Sequence, residues 1–295
     1  MSNRHTNPVL GVIGGSGLYE FRELKDVEWR EIKSPFGNAS DHLLFGNLHD
    51  QPIVFLPRHG RGHILSPSMI NYRANIDILK RVGVTDILSL SAVGSFRQDL
   101  PPGTFVIIDQ FIDRTFAREK SFFEAGMVAH VSIANPVNRR LGDWCEEACN
   151  KEQISMVRDG TYLVMEGPQF STLAESNLYR SWGCDVIGMT NMPEAKLARE
   201  AEIPYCAVAM VTDYDCWHPS HGTVEVEGIL KVLRDNAVMA KSLVKNVASR
   251  MKERPAICPS GDDRALENAL ITAPEARNPE MVKKLEAVAG RILDL

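Results

Sequence analysis

Residues 204–218 read PYCAVAMVTDYDCWH. The first half, 205–211, carries no charge and consists of β-formers with Ala and Met. That is the composition of a strand buried on both faces, as in a parallel or mixed sheet. It gives way at once to Asp213 and Asp215. Residues two apart on an extended backbone point to the same side, so two carboxylates are expected to emerge together where a buried strand meets a loop. Ligand sites in open α/β sheets sit at the carboxyl ends of strands. Neighbouring half-buried carboxylates oppose each other's ionisation, which leaves one able to hold a proton near neutral pH and to give it to a basic ring nitrogen. A plain polar turn closing a strand has the same signature, so the decision falls to the rest of the chain.

Working outward, other apolar runs end in the same way. Residues 9–13 lead into Gly14-Gly15-Ser16-Gly17, a glycine turn whose backbone N–H groups and serine hydroxyl suit a small anion. The turn lacks the third glycine of a dinucleotide fingerprint and the Gly-Lys-Ser/Thr of a Walker loop. Residues 51–57 end in Arg58-His59, within RHGRGH, a second anion candidate whose arginine fork fits phosphate oxygens. Residues 86–92 close in Ser91-Ala92, and 184–189 end in Met189-Thr190. Between these runs the periodicity predicts helices. One spans 67–83, with Met69, Tyr72, Ile76 and Leu79 on one face. Others span 136–152, 172–182 (behind a Thr172/Glu175 capping box), 193–202, 223–251 and 279–293. The stretch 113–130 mixes charge with aromatics and reads as a long loop. Strands and helices alternate without a break, which predicts one α/β domain over 9–252, after a loose tail at 1–8 and before a partly helical extension at 253–295.

Composition excludes several classes. The 295 residues are 44% hydrophobic and 24% charged with a net charge of −5, which is an ordinary globular balance with no basic footprint for nucleic acid. No apolar stretch approaches the roughly 20 residues needed to span a bilayer, and the first residues have no hydrophobic signal core. The six cysteines lack metal-type spacing and read as reduced thiols of a cytoplasmic protein. What remains is a cleft with hydroxyls, arginine and glycine amides at one end and carboxylates at the other. Phe170, in Glu166-Gly167-Pro168-Gln169-Phe170-Ser171, is placed to stack on a planar ring between them. Phosphate and a nitrogen base form the matching ligand pair.

In this order, VIGGSG (12–17), LPRHG (56–60), INYRANI (70–76), SAVGS (91–95), VIIDQFIDRT (106–115), EGPQFS (166–171), GMTNMPEAKLA (188–198) and VTDYDCWH (211–218) resemble the trimeric purine nucleoside phosphorylases, in their branch acting on 5′-methylthioadenosine. The resemblance implies a single-domain mixed α/β sandwich around a distorted central β-barrel flanked by helices. It also implies phosphorolysis of an N-glycosidic bond without a cofactor or metal, with inorganic phosphate as co-substrate, in purine and methionine salvage. Carried over by position, Ser16, Arg58, His59, Ser91, the Ala92 backbone and Thr190 would hold phosphate; Ser91 stands where many relatives have Thr. Met189 would lie along the ribose, Phe170 on the purine, and Asp213 and Asp215 at the base edge, with Asp213 as general acid at N7. Ser171 and Asp213 favour a 6-amino purine, because 6-oxopurine relatives carry Glu and Asn at those places. Val226 and Ile229 would form the 5′-methylthio pocket, and His130 would reach into a neighbouring subunit's site, so that the partner is a second and third copy of this chain. The rival readings are a 6-oxopurine nucleoside phosphorylase, an NAD-dependent dehydrogenase using GGSG, and a nucleoside-binding module without turnover.

Overall fold

Each apolar run finds a strand partner. The computed structural model describes residues 7–15, 18, 21, 23–219 and 226–293, with the side chains of 226–230 outside the described set. The strands are β1 (Leu10–Gly14), β2 (Lys25–Arg30), β3 (Leu43–Leu48), β4 (Gln51–Pro57), β5 (Asp86–Ser95), β6 (Phe105–Asp113), β7 (Met156–Val164), β8 (Val186–Gly188) and β9 (Tyr205–Asp213). They form one nine-stranded sheet in the order β2-β3-β4-β1-β5-β8-β7-β6-β9. β9 pairs back onto β5, closing β5, β8, β7, β6 and β9 into a barrel from which β1 to β4 extend as a wing. Closure removes the exposed edge that a long apolar strand would otherwise offer to other chains.

The helices are α1 (Tyr72–Arg81), α2 (Arg139–Lys151), α3 (Leu173–Ser181), α4 (Asn191–Glu200), α5 (Val226–Arg250), α6 (Pro279–Lys284) and α7 (Glu286–Leu293). The two largest apolar cores lie on opposite faces of the sheet. On β4, Val54 and Leu56 face the core that α1, α4 and α7 cover. Ile53 and Phe55 face the core that α2 and α5 cover. This is the period-2 alternation of a strand with both faces buried, and it explains why these strands read as unbroken apolar runs. The mixed α/β sandwich around a closed barrel is therefore the observed architecture. The segment 253–295 is woven into it: Leu266, Met281, Leu285 and Val288 belong to the same core as α1 and α4.

Several local expectations change. The helix expected from 67 begins at Tyr72, because Asn71 caps it by accepting from Ala74 N, and Met69 is left exposed on a short 3₁₀ turn. The helix expected from 136 starts at Arg139 behind the Asn138 cap. The expected 279–293 helix is two helices that meet at Leu285. β2 and β3 were not anticipated. β2 is mostly exposed, so it carries no apolar alternation to read. The capping box at Thr172 forms as expected, with both reciprocal bonds present. On α5, Ala240 and Val244 are buried, whereas Leu233 and Ala237 are only half-buried.

Candidate active site

β4, β1, β5 and β9 run parallel, so their carboxyl ends gather at one rim. Arg58 N donates to Gly14 O at 3.0 Å and ties the exits of β4 and β1 together. β8 runs antiparallel to β5, pairing Gly94 with Ile187 and Ser95 with Val186. Continuing that register carries Met189-Thr190 back toward Ala92-Ser91. Ala92 itself is exposed in an otherwise buried stretch of β5, which marks where the sheet opens to solvent. The sequence-predicted groups at 58–59, 91–92 and 189–190 thus meet around one opening.

The Arg58 side chain is not free for a ligand in the way its sequence context suggested. It is 1% exposed. Nε donates to Glu194 at 2.8 Å and Nη2 donates to Glu194 at 3.1 Å. Nη2 also donates to Ser89 Oγ at 2.5 Å, and Nη1 to Leu90 O at 3.0 Å. Glu194 further accepts from Ser89 Oγ at 2.6 Å and Tyr205 Oη at 2.8 Å, and Asn191 Nδ2 bonds both Ser89 and Tyr205. Against a burial that disfavours its charge, Glu194 raises the Arg58 pKa above the usual range. A guanidinium has five N–H donors, so only one, on Nη1, is left to point elsewhere.

His59 Nδ1 lies 2.9 Å from Leu65 O, and its ring stacks on His63 at 4.1 Å. A carbonyl can only accept, so Nδ1 carries the proton and Nε2 is an acceptor. Burial pushes the His59 pKa down to about 4, with neighbouring Arg58 and His63 adding to the shift. The ring is neutral at pH 7. Thr190 and Ser91 are both buried. The Thr190 hydroxyl lies 3.3 Å from Asn191 Oδ1, while Ser91 Oγ makes no hydrogen bond among the described residues.

At the other end stand the two carboxylates, and their geometry differs from a pleat. The strand stops at Asp213; Asp215 has φ +48° and opens a 3₁₀ turn, with its N–H donating to Asp213 Oδ2 at 3.0 Å. Aspartate tolerates this left-handed conformation, and the Asp213 side chain accepts from the N–H two residues on, so the pair converges through a turn and not through strand alternation. Asp213 Oδ1 also accepts from Thr212 Oγ at 2.7 Å. Asp215 Oδ2 accepts from the fully buried Ser176 Oγ at 2.5 Å. Burial raises the Asp213 carboxyl above its ordinary range, against the bonds from Thr212 and the Asp215 N–H. It pushes Asp215 up to about 6, with the Ser176 bond opposing. The backbone passes close here: a Cβ on Gly94 would lie 3.1 Å from Asp213 Oδ2.

Phe170 is half-exposed beside this end. Ser171 O accepts from Cys216 Sγ at 3.4 Å, and Trp217 Nε1 donates to Ser95 O at 2.7 Å, which fastens the 213–218 turn to its neighbours. His130 is exposed, held through its N–H on Ala269 O at 2.9 Å. Ser16 and the side chains of Val226 and Ile229 lie outside the described residues. A polar cavity of about 560 Å³ opens elsewhere, near Arg158 and Asp262, and none of the candidate groups lines it. Among the described residues no three His, Cys, Asp or Glu are grouped to hold a metal ion.

Sequence reasoning missed Glu194 and Arg118. Arg118 Nη1 donates to Met189 O and Met192 O, both at 2.7 Å, and Nη2 donates to Glu166 O at 2.7 Å. One buried guanidinium therefore holds the two loops that carry Met189-Thr190 and Phe170. Nothing local in 113–130 announces this, since all its partners lie at least 46 residues away. Glu194 did leave a signal, a carboxylate on the inner face of a helix otherwise lined by Ala195, Leu197 and Ala198.

Residues 9–249 match the family model described as the phosphorylase superfamily. The chain is 64% identical over 293 residues to an S-methyl-5′-thioadenosine phosphorylase of Rhodospirillum rubrum, covering 99% of this chain and 100% of that one. Its fold superposes with a TM-score of 0.91 on the crystal structure of a methylthioadenosine phosphorylase from an antarctic soil metagenomic library, at 42% identity over 96% of this chain and 99% of the other. A methylthioadenosine phosphorylase from Schistosoma mansoni in complex with adenine gives a TM-score of 0.85 at 33% identity, over 89% of this chain and 99% of that one.

Proposed function

The chain belongs to the phosphorylase superfamily, and from that premise we propose how its cleft works. The reaction is phosphorolysis of 5′-methylthioadenosine to adenine and 5-methylthioribose 1-phosphate, which makes the protein a pentosyltransferase. The observation that carries this reading is the pairing of a hydroxyl-lined opening at the exits of β4 and β5 with two carboxyls of raised pKa at the exit of β9.

Phosphate is held by Ser91, Thr190, Ser16, the Ala92 backbone and the remaining Arg58 N–H. Neutral His59 accepts through Nε2 from the O–H of a monohydrogen phosphate, a role its depressed pKa and fixed tautomer suit. Positioned phosphate attacks C1′, so that a bimolecular step becomes a local one. Met189 lies along the ribose, Phe170 stacks on the purine, and Asp213 and Asp215 bind its N7 and N6 edge. Asp213 protonates N7 as the glycosidic bond breaks, and adenine leaves neutral. General acid catalysis of this kind is worth roughly 10²–10⁴-fold. Ser171 and Asp213 select the 6-amino group, and Val226 with Ile229 receives the methylthio group. No cofactor is required; phosphate is the co-substrate.

The working assembly is a homotrimer in which His130 of one copy borders the next copy's site. Exposed Val128 and Ile271, joined by the Ile271 N–H on Val128 O at 2.9 Å, supply an apolar patch beside it. Six free cysteines support a reducing, cytoplasmic setting, with salvage of purine and methionine as the role. No helix among the described residues is long and apolar enough to cross a membrane. The test is adenine release from methylthioadenosine with and without phosphate, with methylthioinosine alongside. Phosphate-dependent adenine release is expected. Release without phosphate, or a preference for methylthioinosine, overturns the assignment of the anion end or the base end respectively.

A further inference from the structure

Beneath the hydroxyl end lies a phenol that the reading above does not use. Tyr162, on β7, is fully buried, and its Oη makes no hydrogen bond among the described residues. Buried hydroxyls in native proteins are nearly always paired, so one that is not demands a reason. Its location supplies one. A Cβ placed on Gly188 would lie 2.0 Å from Tyr162 Oη, so the phenol tip rests against the residue just before Met189-Thr190. The hydroxyls of Ser91 and Thr190 face it and oppose the burial that raises its pKa. Ser91 Oγ is the second buried hydroxyl here without a partner, whereas Thr190 already has Asn191. Two orphaned hydroxyls thus face each other at the floor of the anion end.

Proton counting gives the pair a task. A phosphate anion offers mainly acceptors, so a serine that binds it must spend its only proton on it. The serine oxygen then has lone pairs and no donor, and a buried oxygen left so is costly. We propose that Tyr162 is a positioning residue: its O–H donates to Ser91 Oγ and turns the Ser91 proton toward phosphate. Tyr162 does not touch the nucleoside. Gly188 is then required because any side chain there would occupy the place of the phenol oxygen.

The inference rests on Ser91 being a phosphate ligand, and the experiment separates the two. Wild type, Tyr162→Phe, Ser91→Ala and the double variant are compared by steady-state kinetics, with phosphate and methylthioadenosine varied in turn. Tyr162→Phe removes one oxygen and keeps the ring in the core. Its KM for phosphate is expected to rise roughly three- to tenfold, the scale of one hydrogen bond, with the KM for methylthioadenosine unchanged. In the Ser91→Ala background the same change should add almost nothing, because coupled residues are non-additive. An unchanged phosphate KM in Tyr162→Phe, or fully additive losses in the double variant, overturns the role of Tyr162. A Ser91→Ala variant with normal phosphate KM overturns the underlying reading instead. Should Tyr162→Phe fold poorly, Gly188→Ala displaces the hydroxyl from outside and should reproduce the phosphate-selective loss. The rise in melting temperature on adding inorganic phosphate, taken against each protein's own ligand-free value, gives a readout independent of turnover. It should shrink in both variants, and a full wild-type shift in both refutes the proposal.

Discussion

The two ends of the cleft handle charge in opposite ways. At the proposed phosphate end the Arg58 guanidinium is almost wholly consumed by Glu194, Ser89 and Leu90, and the nearby imidazole of His59 is neutral. Beside it stand the buried hydroxyls of Ser91 and Thr190 and the exposed Ala92. At the proposed base end the carboxyls have no cationic partner among the described residues; they accept from Thr212, Ser176 and backbone N–H groups, and burial pushes both toward the protonated form. The first end is a rigid cradle whose charge is compensated within the chain. The second is left short of compensation, as the proposed proton donor requires. A buried ion pair is costly to break and a buried lone carboxyl is easy to protonate, and the proposed division between holding and reacting rests on this asymmetry.

The contrast can be broken first at the reacting end. Asp213→Asn keeps the shape and removes the proton, and turnover on methylthioadenosine should fall by roughly 10²–10⁴-fold while the melting temperature barely moves. Near-normal turnover would sink the donor role. The holding end should show the reverse pattern. Glu194→Gln leaves Arg58 buried without a counter-charge and should destabilise the fold by about 3–5 kcal/mol, read by denaturant unfolding. A loss below about 1 kcal/mol would show that Ser89, Leu90 and water suffice.

A smaller effect sharpens the contrast through pH. The folded pKa of Asp215 is about 6 against an ordinary 3.8, so folding holds this proton more tightly. The cost of ionising it is absent below about pH 4, grows between 4 and 6, and is complete above 6. Asp215→Asn should therefore gain stability relative to wild type as pH rises from 4 to 8, by at most about 3 kcal/mol at 1.36 kcal/mol per unit. A pH-independent difference would mean that Asp215 titrates normally. Smallest is the cap beside Ser171. Thr172→Ala should cost about 1 kcal/mol and leave turnover nearly intact; a large fall in turnover would show that the cap of α3 positions Ser176 and Asp215.

Much of this was legible locally, for identifiable reasons. The 205–211 run, the capping box at Thr172 and the polar strand exits were readable because burial on two faces and helix capping each leave a short-range pattern. β2 and β3 left none, since β2 is exposed on nearly every residue. α1 starts later than Pro67-Ser68 suggests, because that signal belongs to a separate 3₁₀ turn and Asn71 supplies the cap.

The sequence by itself determined an α/β chain whose strand exits carry the polar groups, and its ordered motifs determined the family, because strand periodicity and motif order are properties of neighbours along the chain. Barrel closure through β5 and β9, the capture of Arg58 by Glu194 across 136 residues, and the meeting of Tyr162 with Ser91 were decided only by the tertiary structure. The physical reason is that protonation state and hydrogen-bond supply depend on what surrounds a group in three dimensions. Arg58 read from sequence is a cation open to phosphate; folded, it is the buried half of an ion pair with one donor to spare.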